Sequence, residues 1–270
     1  MTEVQLSFAS PPIVEVVAGV AFEGLGPDHA PLLNAFWAEK LRHQYPRLEQ
    51  QVPYFPPVER FEQGTAGVKS LQLGVGMPPI RLWALTADGQ ELLQLQPGWF
   101  ACNWRRVQPH QDYDRWPARR EAFSHSFQDL VHFLVGEGVG EPKLTQCEVT
   151  YINHIGAGDV WQRHGDFQRV FALSFSRDIG LPLEEMTAQA TFVLRRDEEP
   201  FGRLHVKVFP AVDREGTAPL YVLELTARGR PDGDGLTGAL GFLDKGHMAI
   251  NQLFAALTTP EVQEAWGRER

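Results

Sequence analysis

A histidine centred on an apolar helical stripe, and amides and carboxylates on strands that otherwise read as core, are the residues of this chain equipped for chemistry. Over residues 235–257, Leu236, Leu240, Leu243, His247, Ile250, Phe254 and Leu257 fall within about 100° of one another at helical spacing. His247 lies on that stripe, with Asp244 and Asn251 one turn away on either side. A buried imidazole needs partners for its ring nitrogens. It is therefore either a structural histidine satisfied by the sheet, or a base or ligand-orienting group facing it. Its natural partners are Glu148, Tyr151 and Asn153, and Glu148 beside His247 would make an acid–imidazole pair of the kind used in proton transfer. A buried glutamate can equally bridge two strands.

These partners belong to residues 144–155, LTQCEVTYINHI. Strand alternation puts Gln146, Glu148 and Thr150 on one face, and Cys147, Val149, Tyr151 and Asn153 on the other. The apparent counterpart is residues 91–106, ELLQLQPGWFACNWRR. There Gln94 and Gln96 share a face that Asn103 and Arg105 continue beyond the bend at Pro97 and Gly98. Amides and a guanidinium in a row suit a polar or anionic ligand, and equally make an ordinary solvated sheet face. Cys102 and Cys147 sit mid-strand among apolar neighbours and read as small core residues.

Motifs of known chemistry are missing: there is no Gly-x-Ser-x-Gly, Cys-x-x-Cys, His-Glu-x-x-His or phosphate loop. Gly74-x-Gly76 has no third glycine and no following helix, so it reads as a bend in a strand. Nine histidines occur, but no two lie at i, i+2 or i, i+4. Neither a metal nor a cofactor is expected.

The elements that must position these residues follow from periodicity. Strands are expected over 13–22, 68–75, 80–86, 91–96, 99–107, 144–155, 187–196, 202–212 and 220–228, with a tight hairpin at Asp88–Gly89. Helices are expected over 30–45, 118–136 and 235–257, with a short helical tail after Pro260 whose Val262 and Trp266 pack back on the body. Between 159 and 180 the pattern is less regular, with a short helix or strand near 170–175. The proline-rich residues 51–57 read as a connector crossing a sheet edge. His125, Asp129 and His132 fall opposite the apolar stripe of their helix, on a solvent face. Runs of strands with separately placed helices indicate an α+β class. The order repeats, so the expected architecture is a helix-grip-like duplication: two similar halves, 1–140 and 141–270, each a curved antiparallel sheet packed on a long helix, forming one structural unit. Laying Glu15 on Glu148 aligns the first strands, and 91–96 then matches 220–225.

Bulk composition sets the class. At 270 residues and 43% apolar content the chain can bury about 70–75% of its unfolded surface. A formal charge of −9 argues against a broad nucleic-acid surface. The sequence-local cluster Arg105, Arg106, Arg115, Arg119 and Arg120 reads as a solvated strand end and helix start. Two cysteines without a framework, no secretory leader and no apolar run of about 18 residues lead to the expectation of a cytoplasmic protein away from membranes.

PPIVEV near the start, WFACNWR in the middle, EVTYINHI and the closing HMAINQLFAALTTPEVQEAWG together resemble a sporadically distributed bacterial family of no assigned function. Its landmarks match Asn103–Arg105, Tyr151/Asn153 and His247/Asn251 here. The resemblance implies a cytoplasmic accessory protein, defence- or toxin–antitoxin-linked, and implies no activity. Three functions follow for testing. The first is a non-catalytic module that holds a partner protein or small ligand, as monomer or homodimer, with Gln94, Gln96, Asn103, Arg105, Glu148, Tyr151, Asn153, His247 and Asn251 lining its pocket. The second is a hydrolase or lyase using Glu148 and His247. The third is a nucleic-acid sensor using Arg105, Arg106 and Arg115.

Overall fold

The computed structural model describes residues 7–61, 80–109, 111–173 and 180–269. Their order is β1 (Ser7–Phe8), β2 (Ile13–Glu23), α1 (Ala30–Phe36), β3 (Arg47–Gln51), β4 (Arg81–Leu85), β5 (Glu91–Gln96), β6 (Trp99–Arg105) and α2 (Arg115–Gly136). Then come β7 (Lys143–Gly156), α3 (Phe167–Val170), β8 (Ala188–Arg196), β9 (Glu199–Val212), β10 (Pro219–Gly229), α4 (Gly235–Leu257), α5 (Pro260–Ala265) and β11 (Arg268–Glu269). The expected strand at 68–75, with Gly74 and Gly76, lies outside the described residues.

An α+β fold results, in which α2 and α4 pack against antiparallel strands. The nine strands from β2 to β10 form one sheet in the order β3-β4-β5-β6-β2-β7-β10-β9-β8. β2 and β7 pair directly from Glu15↔Ile152 to Ala21↔Gln146, so strands of both halves share this sheet. β6 flanks β2 as β10 flanks β7. The expected match of 91–96 with 220–225 is therefore displaced by one strand: β6, not β5, stands where β10 stands. A short pair outside this sheet, β1 with β11, ties the two ends of the described chain together.

Alternation decides which face takes the helices. Val16, Ala18 and Val20 on β2, Phe100, Cys102 and Trp104 on β6, Cys147, Val149 and Tyr151 on β7 and Tyr221, Leu223, Leu225 and Ala227 on β10 are all buried and share one face. Phe123 and Phe127 of α2 meet Phe100 there, and Phe242, Leu243, Ile250 and Phe254 of α4 complete the layer. Trp266 closes over Phe8 and Phe254, which seats the C-terminal tail as its spacing predicts. The first helix stops its α-helical bonding at Phe36 and runs on as a π-helical turn over Trp37–Leu41, short of the expected 45. At the end of β10, Gly229 faces Gly202 of β9, and both lie under the Phe242 ring.

No described helix is long and apolar enough to cross a membrane.

The glycine pair gives a stability prediction. A methyl on Gly229 would stand 2.3 Å from the Phe201 carbonyl oxygen and 2.5 Å from the Phe242 ring, and backbone cannot yield as a flexible side chain can. Gly229→Ala should cost about 2–3 kcal/mol in urea denaturation. Gly136→Ala, with nothing within 4 Å of its added methyl, should cost nothing. Equal stability of the two variants would contradict the seating of Phe242.

Candidate functional site

The face turned away from the helices should be solvated in a sheet covered on one side, yet its central polar residues are buried. Gln94, Gln96, Asn103, Gln146, Glu148, Thr150, Thr226 and Arg228 are each less than 9% exposed. They form cross-strand chains. Arg81 Nη1 donates to Gln94 Oε1 at 3.0 Å, Gln94 Nε2 to Asn103 Oδ1 at 2.8 Å, and Asn103 Nδ2 to Glu15 Oε1 at 2.5 Å. Burial raises the Glu15 carboxyl, while the Asn103 amide and the Arg105 charge pull it back. On β7 and β10, Thr150 and Thr226 share a hydroxyl bond of 2.8 Å, and Arg228 Nε donates to Glu148 Oε2 at 2.6 Å.

A strap of extended chain, residues 52–61, lies over this row. It crosses the face of the sheet and not an edge, contrary to the sequence expectation. Two glutamines hold its main chain. Gln96 Oε1 accepts from the Tyr54 N–H at 2.9 Å while Gln96 Nε2 donates to the Tyr54 carbonyl at 2.8 Å. Gln146 Oε1 accepts from the Glu59 N–H at 2.8 Å while Gln146 Nε2 donates to the Pro57 carbonyl at 3.0 Å. The Tyr54 ring stands edge-on to Trp99, with centroids 5.1 Å apart, and its hydroxyl reaches both Glu148 oxygens at 3.4 Å. Burial and the Glu148 charge push the Tyr54 phenol up, so it remains a donor.

Glu59 enters a basic corner. It pairs with Arg203, lies 2.6 Å from His205 Nε2 and is 3.5 Å from Arg228 Nη1. Burial alone would raise its carboxyl, but the bonds from His205 and Arg203, with the His205 and Arg228 charges, hold it below the usual range. The Phe61 ring sits 4.8 Å from the Arg203 guanidinium and 5.3 Å from that of Arg230. Beside the strap a cleft of about 280 Å³ opens between Pro56, Glu59, Phe61, Thr145, Gln146 and Arg230.

The nine residues expected to line one pocket are divided by the sheet. Gln94, Gln96, Asn103, Arg105 and Glu148 lie on the strap face; Tyr151, Asn153, His247 and Asn251 lie on the helix face. The acid–imidazole pair of Glu148 with His247 therefore does not form: His247, on α4, meets β7 at Tyr151, and Glu148, an odd step from Tyr151 on that strand, points to the opposite face. His247 Nδ1 instead lies 2.8 Å from the Tyr151 hydroxyl, which lies 2.8 Å from that of Tyr113. Asn251 Nδ2 is 3.1 Å from His247 Nε2, and Trp116 stacks on the ring at 4.8 Å. Asn153 is spent on the Leu223 carbonyl at 3.1 Å. Arg105 Nη2 donates to the Gly89 carbonyl at 2.9 Å.

The arginines read as a solvated cluster are mostly engaged. Arg119 binds Glu91 and Asp114, and Arg120 holds Asp244, which also accepts from Trp116. Cys102 and Cys147 are buried, and burial pushes both thiols up. Among the described residues, no three His, Cys, Asp or Glu side chains converge to hold a metal ion. Sequence reasoning missed Tyr54, Glu59, Arg203, His205 and Arg228. Arg228 was legible from the alternation of β10, where Glu224, Thr226 and Arg228 oppose an apolar set. Nothing local marked Tyr54 or Glu59.

No family model, curated protein or solved structure matches the chain.

Burial holds the His247 pKa down at about 4, against an opposing pull from the Asp244 charge. With its folded value below the unfolded one, His247 contributes stability that is complete above about pH 6.5 and is lost as pH falls toward 4. The loss is at most about 3 kcal/mol. Urea denaturation at pH 7 and pH 5 should show wild type losing more stability than His247→Gln, and parallel losses would refute a neutral buried ring.

Proposed function

We propose that this chain is a binding protein whose site is the strap-covered face, and that the site holds an extended polypeptide segment of a partner. One observation carries the reading: Gln96 and Gln146 each close a two-way pairing with the main chain of residues 54–59. Such pairing reads backbone N–H and C=O groups irrespective of side chain, the chemistry by which extended peptides gain affinity. The surroundings support it. Among the described residues, Arg81 Nε, Trp83 Nε1, Trp99 Nε1 and Arg105 Nε on this face are buried donors with no acceptor. A segment rich in carbonyls and carboxylates supplies acceptors, whereas an apolar small molecule does not.

Proton-transfer catalysis by Glu148 has no support from the geometry, because Arg228 and Tyr54 occupy its oxygens. We read the mirrored strand order about β2 and β7 as a duplication of a strand, helix, strands and helix unit. Divergent relatives should show halves more alike than these; halves alike only by chance would count against it.

Short linear peptides selected by display against the full chain should bind in a manner that depends on the two glutamines. Two lost amide pairings correspond to about tenfold or more in affinity. Gln96→Ala and Gln146→Ala should weaken the selected peptides accordingly, and Asn251→Ala, on the other face, should not. Peptides indifferent to both glutamines, or sensitive to Asn251, would rule this face out.

A further inference from the structure

Arg203, His205 and Arg228 are contributed by β9 and β10, and all three close on one carboxylate. Arg228 has a second acid, Glu148, on the adjoining strand. Arg203 and His205 have no other carboxylate among the described residues. The Arg203 guanidinium meets the strap twice more: Nη2 donates to the Arg60 carbonyl at 2.6 Å, and Phe61 covers the group. Arg230, one step beyond β10, faces Phe61 and forms no ion pair among the described residues. The sheet thus presents a cationic corner in which Arg228 alone has an acid within the sheet, and the carboxylate shared by all three is brought from outside it, on a segment containing Pro53, Pro56 and Pro57. The Glu59 side chain is only 8% exposed there, so it occupies the corner rather than skirting it.

We infer that Arg203, His205 and Arg228 form a carboxylate-recognition site, that Glu59 is its tethered occupant, and that a partner's segment enters by presenting an acidic side chain in exchange for the strap. The inference rests on the extended-segment reading and adds the ligand's charge and the strap's role as competitor. It also sets a spacing. Tyr54 and Glu59 are the two inward anchors, about 16 Å apart along a polyproline-like chain. The partner class is an extended acidic segment with an aromatic residue about five positions before its carboxylate.

The probe is the synthetic peptide QVPYFPPVERF, identical to residues 51–61, fluorescein-labelled, alongside the same peptide with glutamine in place of its glutamate. Anisotropy titrations use the full chain, wild type and Tyr54→Ala/Glu59→Gln, with native fold checked by circular dichroism and thermal unfolding. The glutamate peptide should bind the double variant at least about tenfold more tightly than wild type, and at least about tenfold more tightly than the glutamine peptide does. Added salt should shrink the second difference. Equal binding of the two peptides to the double variant overturns carboxylate recognition and leaves the extended-segment reading standing. Equal binding of the glutamate peptide to wild type and double variant overturns the strap as competitor. Absence of binding by either peptide overturns both readings. Should the double variant lose its fold, Glu59→Gln alone, with Tyr54 still anchored, must show the same preference for the glutamate peptide.

Discussion

The ion pair of Arg228 with Glu148 sets the terms for the rest of the molecule. Each side chain is 10% or less exposed, so both charges have given up most of their hydration. The attraction between such groups roughly offsets that loss only when their remaining hydrogen-bonding capacity is also met. Tyr54 gives Glu148 a further donor, and Glu59 gives Arg228 a further acceptor. Deleting one partner of a buried pair typically costs about 3–5 kcal/mol, because the other charge is left uncompensated. An apolar helix laid on this face would have the same effect. The helices are therefore confined to the other face, and this one is covered by a segment whose main-chain N–H and C=O groups pair with Gln96 and Gln146.

The period-2 rule then separates two polar systems. On the strap face the polar groups reach outward to a segment that is not part of the sheet. On the helix face they are used internally. Tyr113, Tyr151, His247 and Asn251 run from the segment before α2 through β7 to α4, and Asp244 joins α4 to Trp116 and Arg120 of α2. That network connects the two long helices to each other and to β7. Its physical effect is to fix where the helices sit, and so to keep the shared sheet rigid beneath the strap.

Periodicity made most of the strands, the α2 stripe and α4 legible, because each presents an apolar set at regular spacing to the shared core. Residues 91–96 and 235–257 coincide with β5 and α4 to the residue. The apparent pocket failed for a reason also present in the sequence. Glu148 and Tyr151 are three apart on a strand, so no single helix can touch both. Treating His247 as a neighbour of each ignored that parity. The strap was illegible for a different reason. Its place depends on Gln96 and Gln146, which are 42 and 87 residues from the backbone groups they bind, and no local pattern encodes such a pairing. Proline spacing predicts an extended chain, not the surface on which it rests. β3 was missed because Arg47–Gln51, polar throughout except for Leu48, gives little alternation to read.

A tethered occupant alters what a partner must offer. A strap joined to the sheet competes at an effective concentration on the order of millimolar, so a partner present at about 1 μM starts with a disadvantage of roughly 4 kcal/mol. Repeating the strap's own contacts cannot overcome that. The donors the strap leaves unmet can: satisfying a buried N–H is worth about 1–3 kcal/mol, and Arg81, Trp83, Trp99 and Arg105 supply four of them. Engaging two or three suffices. Selectivity on this face therefore comes from the acceptors a partner places over β4 and β6, beyond Tyr54, while the carboxylate at Arg203 and His205 fixes its register.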